Sequence, residues 1–124
     1  ALATAKLEHY AKDILDHFEL TSYFDVIVGA NYESGLLHKK EILEKALELC
    51  GNPLTDENGN RMAFMVGDRK YDVEAANELG CISVGVTYGY GTEAELKEAD
   101  AEYLCDDVDE IADVLDLEAL MVRR

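Results

Sequence analysis

The carboxylates of Asp68 and Asp72 form the pair with the clearest chemical potential in the chain. An apolar run over residues 62–66 ends at Gly67, Asp68 follows at once, and Asp72 stands four residues later. This spacing predicts a strand that ends at Asp68 and a helix that starts near Asp72. Both carboxylates would then lie at the mouth of a sheet, where open α/β folds bind ligands. Such a pair suits Mg²⁺, which usually takes one or two carboxylates and leaves room for substrate phosphate.

The elements that must position this pair alternate along the chain. Apolar runs predict strands over residues 24–30, 62–66, 81–86 and 101–105. Helical spacing predicts helices from residue 7, around residues 42–47, and over residues 71–79, 93–99 and 108–120. Alternating strands and helices with short loops are typical of a parallel sheet flanked by helices. The sequence therefore predicts one α/β domain.

The first predicted helix carries a regular apolar stripe. Its apolar residues recur at helical spacing and predict one buried face: Leu7, Tyr10, Ala11, Ile14, Leu15 and Phe18. Thr4 stands just ahead of this stripe and is predicted to be the N-cap of the helix.

Composition excludes several classes of partner. The chain has 124 residues and a formal net charge of −16. Nucleic acid and anionic membrane surfaces would repel such a protein, so neither is an expected partner. No stretch approaches the roughly 18 apolar residues that a membrane span needs.

The three cysteines, Cys50, Cys81 and Cys105, lie in or beside apolar segments without Cys-x-x-Cys spacing. Buried, reduced thiols are therefore expected rather than metal ligands or disulfides. Reduced thiols favour a cytoplasmic location.

The order of these parts resembles the C-terminal half of a haloacid dehalogenase-like hydrolase, most closely the phosphoglycolate phosphatase-type branch. The resemblance spans essentially the whole chain. It is densest at Gly67–Ala76, Gly80, Gly85-Val86 and the loop Tyr88-Gly89-Tyr90-Gly91. A bare Gly-Asp-x-x-x-Asp recurs by chance, but its position between a strand and a helix, followed by this loop, is specific. The resemblance implies a Rossmann-like three-layer core with a parallel sheet, and Mg²⁺-dependent hydrolysis of small phosphate monoesters.

The same resemblance implies roles for individual residues. Thr4 would grip a phosphoryl oxygen, assisted by the amide of Ala5 at a helix N-terminus. Lys39 would neutralise charge on the phosphate, with Lys40 as its rival one residue away. Asp68 would be the direct metal ligand, and Asp72 would hold a metal-bound water or orient Lys39. The plain structural alternatives are an N-cap for Thr4, an exposed lysine for Lys39 and a first-turn acid for Asp72.

The chain lacks the nucleophile motif that begins the reaction in this family. Members attack phosphorus with the first carboxylate of an Asp-x-Asp motif at the end of the first strand. The chain's one Asp-x-Asp, Asp107-Val108-Asp109, starts the last helix without a preceding strand of the expected kind, and surface charge explains it. We therefore expect residues 1–124 to be the C-terminal portion of a core domain. The nucleophile strand, which is central in that fold, and the helical cap domain would lie outside the chain, and the chain alone would be inactive.

Two other classes of function compete with this one. A receiver-like domain also uses aspartate, threonine and lysine, but its acidic pocket precedes the other two, whereas here Thr4 and Lys39 come first. A non-catalytic interaction domain is the third hypothesis. On the leading hypothesis the partner is a small phosphorylated metabolite. The identity of that substrate and the oligomeric state are left open by the sequence.

Overall fold

The computed structural model of the chain describes residues 1–123, with side chains as far as Asp116. The chain divides into two compact units, Ala1–Pro53 and Leu54–Arg124. The boundary between them falls at the start of the polar loop that contains the chain's one proline.

The first unit is a pair of parallel strands with two helices packed on it. Its core joins apolar residues of the second strand and the second helix: Val28, Ala30, Ile42 and Ala46. In chain order its elements are β1 (Leu2–Leu7), α1 (Glu8–His17), a 3₁₀ turn (Thr21–Tyr23), β2 (Ile27–Ala30) and α2 (Lys39–Leu49).

The second unit contains three parallel strands in the order β3-β4-β5. Its central strand β4 is buried along its whole length, as expected for a strand covered on both faces. In chain order the elements are β3 (Phe64–Gly67), α3 (Lys70–Leu79), β4 (Ile82–Val86), α4 (Glu93–Glu98), β5 (Tyr103–Cys105) and α5 (Val108–Arg123).

The predicted α/β class with parallel strands is confirmed. Helix α3 ends where the sequence predicts, because Gly80 adopts the left-handed conformation (φ +85°) that closes a helix at little steric cost. The predicted face of α2 is also confirmed, and its four residues are buried: Ile42, Leu43, Ala46 and Leu47.

The predicted N-cap of the first helix is wrong, although the helix begins within one residue of the predicted start. Helix α1 begins at Glu8 with Leu7 at the N-cap position, whereas Thr4 and Ala5 lie in strand β1. The register of the strand pair explains the difference. Ala3 pairs with Val28 and Leu7 pairs with Ala30, so residues 4–6 face a single residue of β2 and form a bulge. The bulge keeps residues 4–6 in the strand, so Thr4 does not cap the helix.

The predicted apolar stripe of α1 is only partly buried. Ala11 and Leu15 pack against the sheet, but Tyr10, Ile14 and Phe18 are 54%, 44% and 64% exposed. Within the first unit, two strands are too narrow to cover the whole stripe.

The three cysteines are all free thiols, as predicted, but they differ in exposure. Cys81 and Cys105 are buried, and burial raises the pKa of both thiols. Cys50 is exposed, which corrects the expectation of three buried thiols. It is the C-terminal cap of α2 rather than part of its apolar face. Among the described residues, no helix is long and apolar enough to cross a membrane.

We expect this difference to control thiol reactivity. At pH 8, Cys50 should react with iodoacetamide at least about ten times faster than Cys81 and Cys105, because the thiolate is the reactive form and burial disfavours it. Peptide mass spectrometry after timed labelling measures the three rates, and labelling in 6 M guanidinium chloride provides the control in which all three become accessible. Equal rates in the folded protein would contradict the described burial.

Candidate active site

Asp68 follows β3 directly and is held by the glycine-rich loop after β4. The backbone amide of Tyr90 donates a hydrogen bond of 2.8 Å to Asp68 Oδ2. The loop approaches so closely that a Cβ on Gly89 would lie 2.3 Å from the Cβ of Asp68, and one on Gly91 would lie 2.0 Å from its backbone oxygen. Real Cβ atoms essentially never come within 3.0 Å of another heavy atom in this way, so this contact requires glycine at both positions.

Asp72 lies in the first turn of α3 and is 6% exposed. Its Oδ2 accepts a hydrogen bond of 3.2 Å from the amide of Arg69, the residue that precedes the helix. A Cβ on Gly67 would lie 2.3 Å from the same oxygen, so the carboxylate packs over the end of β3. The structural explanation of Asp72 as a helix-starting acid is therefore confirmed, whereas its role toward a metal or Lys39 stays a prediction.

An ion pair beside these carboxylates was not predicted from the sequence. Glu95, in the first turn of α4, accepts hydrogen bonds from Arg69 Nε at 3.0 Å and from a second guanidinium nitrogen at 3.3 Å. It also accepts one from the amide of Lys70 at 3.2 Å. The hydrogen bond from Arg69 holds the pKa of the Glu95 carboxyl below its usual value. Glu95, with a smaller contribution from Asp68, raises the pKa of the Arg69 guanidinium.

Thr4 lies in the bulge of β1, half-buried, and its Oγ1 accepts a hydrogen bond of 3.2 Å from the amide of Lys6. The amide of Ala5 is not at a helix N-terminus, because α1 begins three residues later at Glu8. The prediction that Ala5 binds phosphate through a helix terminus is therefore wrong in its geometry. A bulge leaves backbone amides without a partner in the strand ladder, and such amides can bind an anion. Phosphate binding by residues 4–6 therefore stays a prediction.

Lys39 is the first residue of α2 and is half-buried. Its Nζ donates a hydrogen bond of 3.2 Å to the backbone oxygen of Ala3, which directly precedes Thr4. Lys40 is exposed. The structure thus brings Lys39 to the Thr4 segment within the first unit. Within the second unit, Asp68 directly follows β3 and Asp72 lies in the first turn of α3.

The Asp107-Val108-Asp109 segment is exposed, as the surface-charge interpretation predicts, and it also begins helix α5. Asp107 precedes α5 and its Oδ1 accepts a hydrogen bond of 2.9 Å from the amide of Glu110. Glu110 in turn accepts one of 2.7 Å from the amide of Asp106. The first bond satisfies an amide in the first turn of α5, and the second satisfies an amide just before the helix. Because Asp107 bonds an amide in the first turn of α5, the segment is a helix cap.

The donor chemistry near Asp68 fits part of a magnesium site. Carboxylate oxygens are the ligands that Mg²⁺ prefers, and it commonly binds through one or two of them together with water and substrate phosphate. Among residues 1–116, no group of three or more His, Cys, Asp or Glu side chains is arranged to hold a metal. The described part of the chain could thus supply one or two ligands, but not a complete metal site.

Comparison with known proteins identifies the family of the chain. The family model described as HAD-hydrolase-like matches residues 38–111, which is more than half of the chain. A 5′-nucleotidase of Pseudomonas aeruginosa is 31% identical over 115 residues, covering 93% of this chain and 49% of that protein. A phosphoglycolate phosphatase of Neisseria meningitidis is 36% identical over 104 residues, covering 82% of this chain and 40% of that protein.

A solved structure gives the same result. The crystal structure of a predicted phosphatase from Clostridium acetobutylicum superposes with a TM-score of 0.78 at 37% identity, covering 98% of this chain and 51% of that one. The chain belongs to the haloacid dehalogenase-like hydrolases. Within that superfamily it falls in the phosphoglycolate phosphatase-type branch, as the sequence predicts. It spans about half or less of the length of the curated relatives that it matches.

The glycine at the end of β3 provides a test of the described packing. We expect Gly67→Ala to destabilise the protein by about 1–3 kcal/mol, because the new Cβ must displace the Asp72 carboxylate. Gly85 pairs with Gly67 across the sheet and is a matched control, since a Cβ there would meet only leucine methyl groups at 3.2 Å or more. Urea denaturation measures both losses. A Gly85→Ala loss equal to or larger than that of Gly67→Ala would contradict the packing.

Proposed function

We propose that this chain is the C-terminal portion of the core domain of a Mg²⁺-dependent phosphatase that hydrolyses small phosphate monoesters. One observation carries the proposal. Asp68, at the end of a parallel strand, is fixed by the amide of Tyr90, in a chain of a family whose matched relatives include phosphatases. The substrate is a small phosphorylated metabolite, such as phosphoglycolate, a nucleotide or a sugar phosphate.

The residues of this chain would supply binding and charge rather than the attacking group. Lys39 would place an ammonium against the phosphoryl group, and Thr4 would donate a hydrogen bond to a phosphoryl oxygen. The contact of Lys39 Nζ with the Ala3 carbonyl at 3.2 Å supports this pairing. At an effective dielectric near 20, one unit charge about 4 Å away contributes roughly 4 kcal/mol, so a single lysine is significant.

Asp68 would hold the cation, with Asp72 supporting from the first turn of α3. A bound Mg²⁺ would neutralise charge on the phosphoryl oxygens and orient the group for in-line displacement. The nucleophile in this proposal is a carboxylate outside the chain. It forms a bond to phosphorus as the ester oxygen leaves, and water later hydrolyses the acyl phosphate.

The sheet edges support the proposal that a further strand completes the core. Strand β1 pairs only with β2, and β3 lies at the edge of its sheet, within the residues that the structure describes. Each strand therefore presents one row of backbone groups that lacks a strand partner, and proteins usually cover or pair such an edge. A central strand carrying the nucleophile, and a cap domain, would be supplied by the rest of the protein. We also propose a cytoplasmic location, which the three free thiols support.

The alternatives receive less support. A receiver-like domain is disfavoured because the chain belongs to the haloacid dehalogenase-like hydrolases. A non-catalytic interaction domain would predict no metal-dependent hydrolysis in the full-length protein.

Removal of the Asp68 charge tests the metal assignment. In the full-length protein, Asp68→Asn should lower kcat for Mg²⁺-dependent hydrolysis by about 10²–10³-fold, since it removes a preorganised charge while an oxygen acceptor remains for the Tyr90 amide. Phosphate release from a panel of small phosphate esters measures the rate. Asp107→Asn removes a carboxylate of the α5 cap and is the control. Unchanged hydrolysis and metal dependence in Asp68→Asn would show that the assignment is wrong, and the 124-residue chain alone should release no phosphate.

A second comparison separates Lys39 from Lys40. Lys39→Met should lower kcat/KM by roughly 10²–10³-fold, because it removes the ammonium that would face the phosphoryl group. Lys40→Met has the same charge change one residue away and should stay within about threefold of wild type, as expected for an exposed surface charge. Steady-state kinetics of both variants show which lysine faces the phosphoryl group. A larger loss in Lys40→Met would transfer the role to that residue.

A further inference from the structure

The Glu95 carboxylate ties the start of α3 to the start of α4. It accepts two hydrogen bonds from the Arg69 guanidinium and one from the amide of Lys70, the first residue of α3. The amide of Glu95 is itself bonded to the side chain of Thr92, the N-cap of α4, at 3.1 Å. The side chain of Glu95 is only 22% exposed, against 42% for Arg69. Glu95 is thus a fixed acceptor, and Arg69 is the more exposed partner.

The position of Arg69 is significant because it directly follows Asp68. Without Glu95, the nearest carboxylates to a long, flexible guanidinium at this position would include Asp68 and Asp72, since both lie within three residues of it. An Arg–carboxylate pair is frequently bidentate, so it would occupy the oxygens that a cation needs. Gly91 lies between Glu95 and Asp68. A Cβ on Gly91 would lie 2.6 Å from Glu95 Oε2 and 2.0 Å from the backbone oxygen of Asp68.

We propose that Glu95 is a positioning residue for the cation site: it holds the Arg69 guanidinium away from Asp68 and so keeps that carboxylate available to a divalent metal. This inference rests on the proposed function, in which Asp68 is the metal ligand. It assigns Glu95 no contact with substrate or metal. Glu95 acts through Arg69 alone.

The proposal predicts effects of opposite sign for the two members of the ion pair. In the full-length protein, Glu95→Gln should weaken Mn²⁺ binding by about tenfold, because the amide still accepts from Lys70 but no longer neutralises Arg69. Arg69→Gln should bind Mn²⁺ at least as tightly as wild type, because the competing cation is removed. The double variant Arg69→Gln, Glu95→Gln should return to within about threefold of wild type.

Electron paramagnetic resonance of free Mn²⁺ measures these affinities without requiring turnover. Glu93→Gln is the matched control, because Glu93 lies in the same helical turn and forms an exposed ion pair with Lys97 at 3.2 Å. It should change the affinity less than about twofold, as distant surface charges are screened. Thermal unfolding of each variant verifies that it is folded.

The outcomes separate this inference from the one on which it rests. If Asp68→Asn binds Mn²⁺ as wild type does, the metal assignment fails and this inference fails with it. If binding depends on Asp68 but Glu95→Gln and Arg69→Gln weaken it to the same extent, the pair is a structural brace and the inference is overturned. Should Glu95→Gln not fold, Arg69→Gln alone still decides, since weaker binding in that variant contradicts the proposal.

Discussion

Backbone packing too close to admit a Cβ holds the acidic end of β3 in place. Gly67 lies beneath the Asp72 carboxylate, and Gly89 and Gly91 lie against Asp68. Because none of these three glycines has a positive φ, an alanine there would meet a steric contact rather than backbone strain. This close approach brings the Tyr90 amide to 2.8 Å from Asp68 Oδ2. Asp68 and Tyr90 are 22 residues apart in the sequence, yet the motif and the glycine-rich loop form one packed structure.

Local sequence signals explain why the elements of the second unit are predicted well. Strand, helix and strand follow one another with short connections, and Gly80 ends the helix where its left-handed conformation is needed. Each of these signals depends on residues that are close together in the sequence, so it can be recognised from the sequence alone. The same local signals predict that Asp68 follows the strand and that Asp72 lies near the start of the helix, as the structure shows.

The errors and omissions have a different physical origin. The bulge in β1 depends on how Ala3 and Leu7 pair with β2, more than twenty residues away, and no local pattern records that register. The Glu95 contact spans 26 residues in the same way, and in the sequence Glu95 is an ordinary first-turn acid. Proximity in the fold, rather than residue type, distinguishes it from Glu93. Cys50 was predicted buried because it follows an apolar helix face, but the helix ends at Leu49 and Cys50 only caps it.

The protein is strongly acidic, so anion binding must depend on a few positive groups close to the anion. With a net charge of −16, the surface as a whole repels a phosphate dianion. At physiological ionic strength the Debye length is about 8 Å, so most of that surface charge is screened, and groups near the phosphate dominate its electrostatic energy. On the proposed function, Lys39 supplies positive charge within the first unit, and a cation at Asp68 would supply it within the second. Arg69 follows Asp68 directly, and its ion pair with Glu95 offsets the charge of the guanidinium.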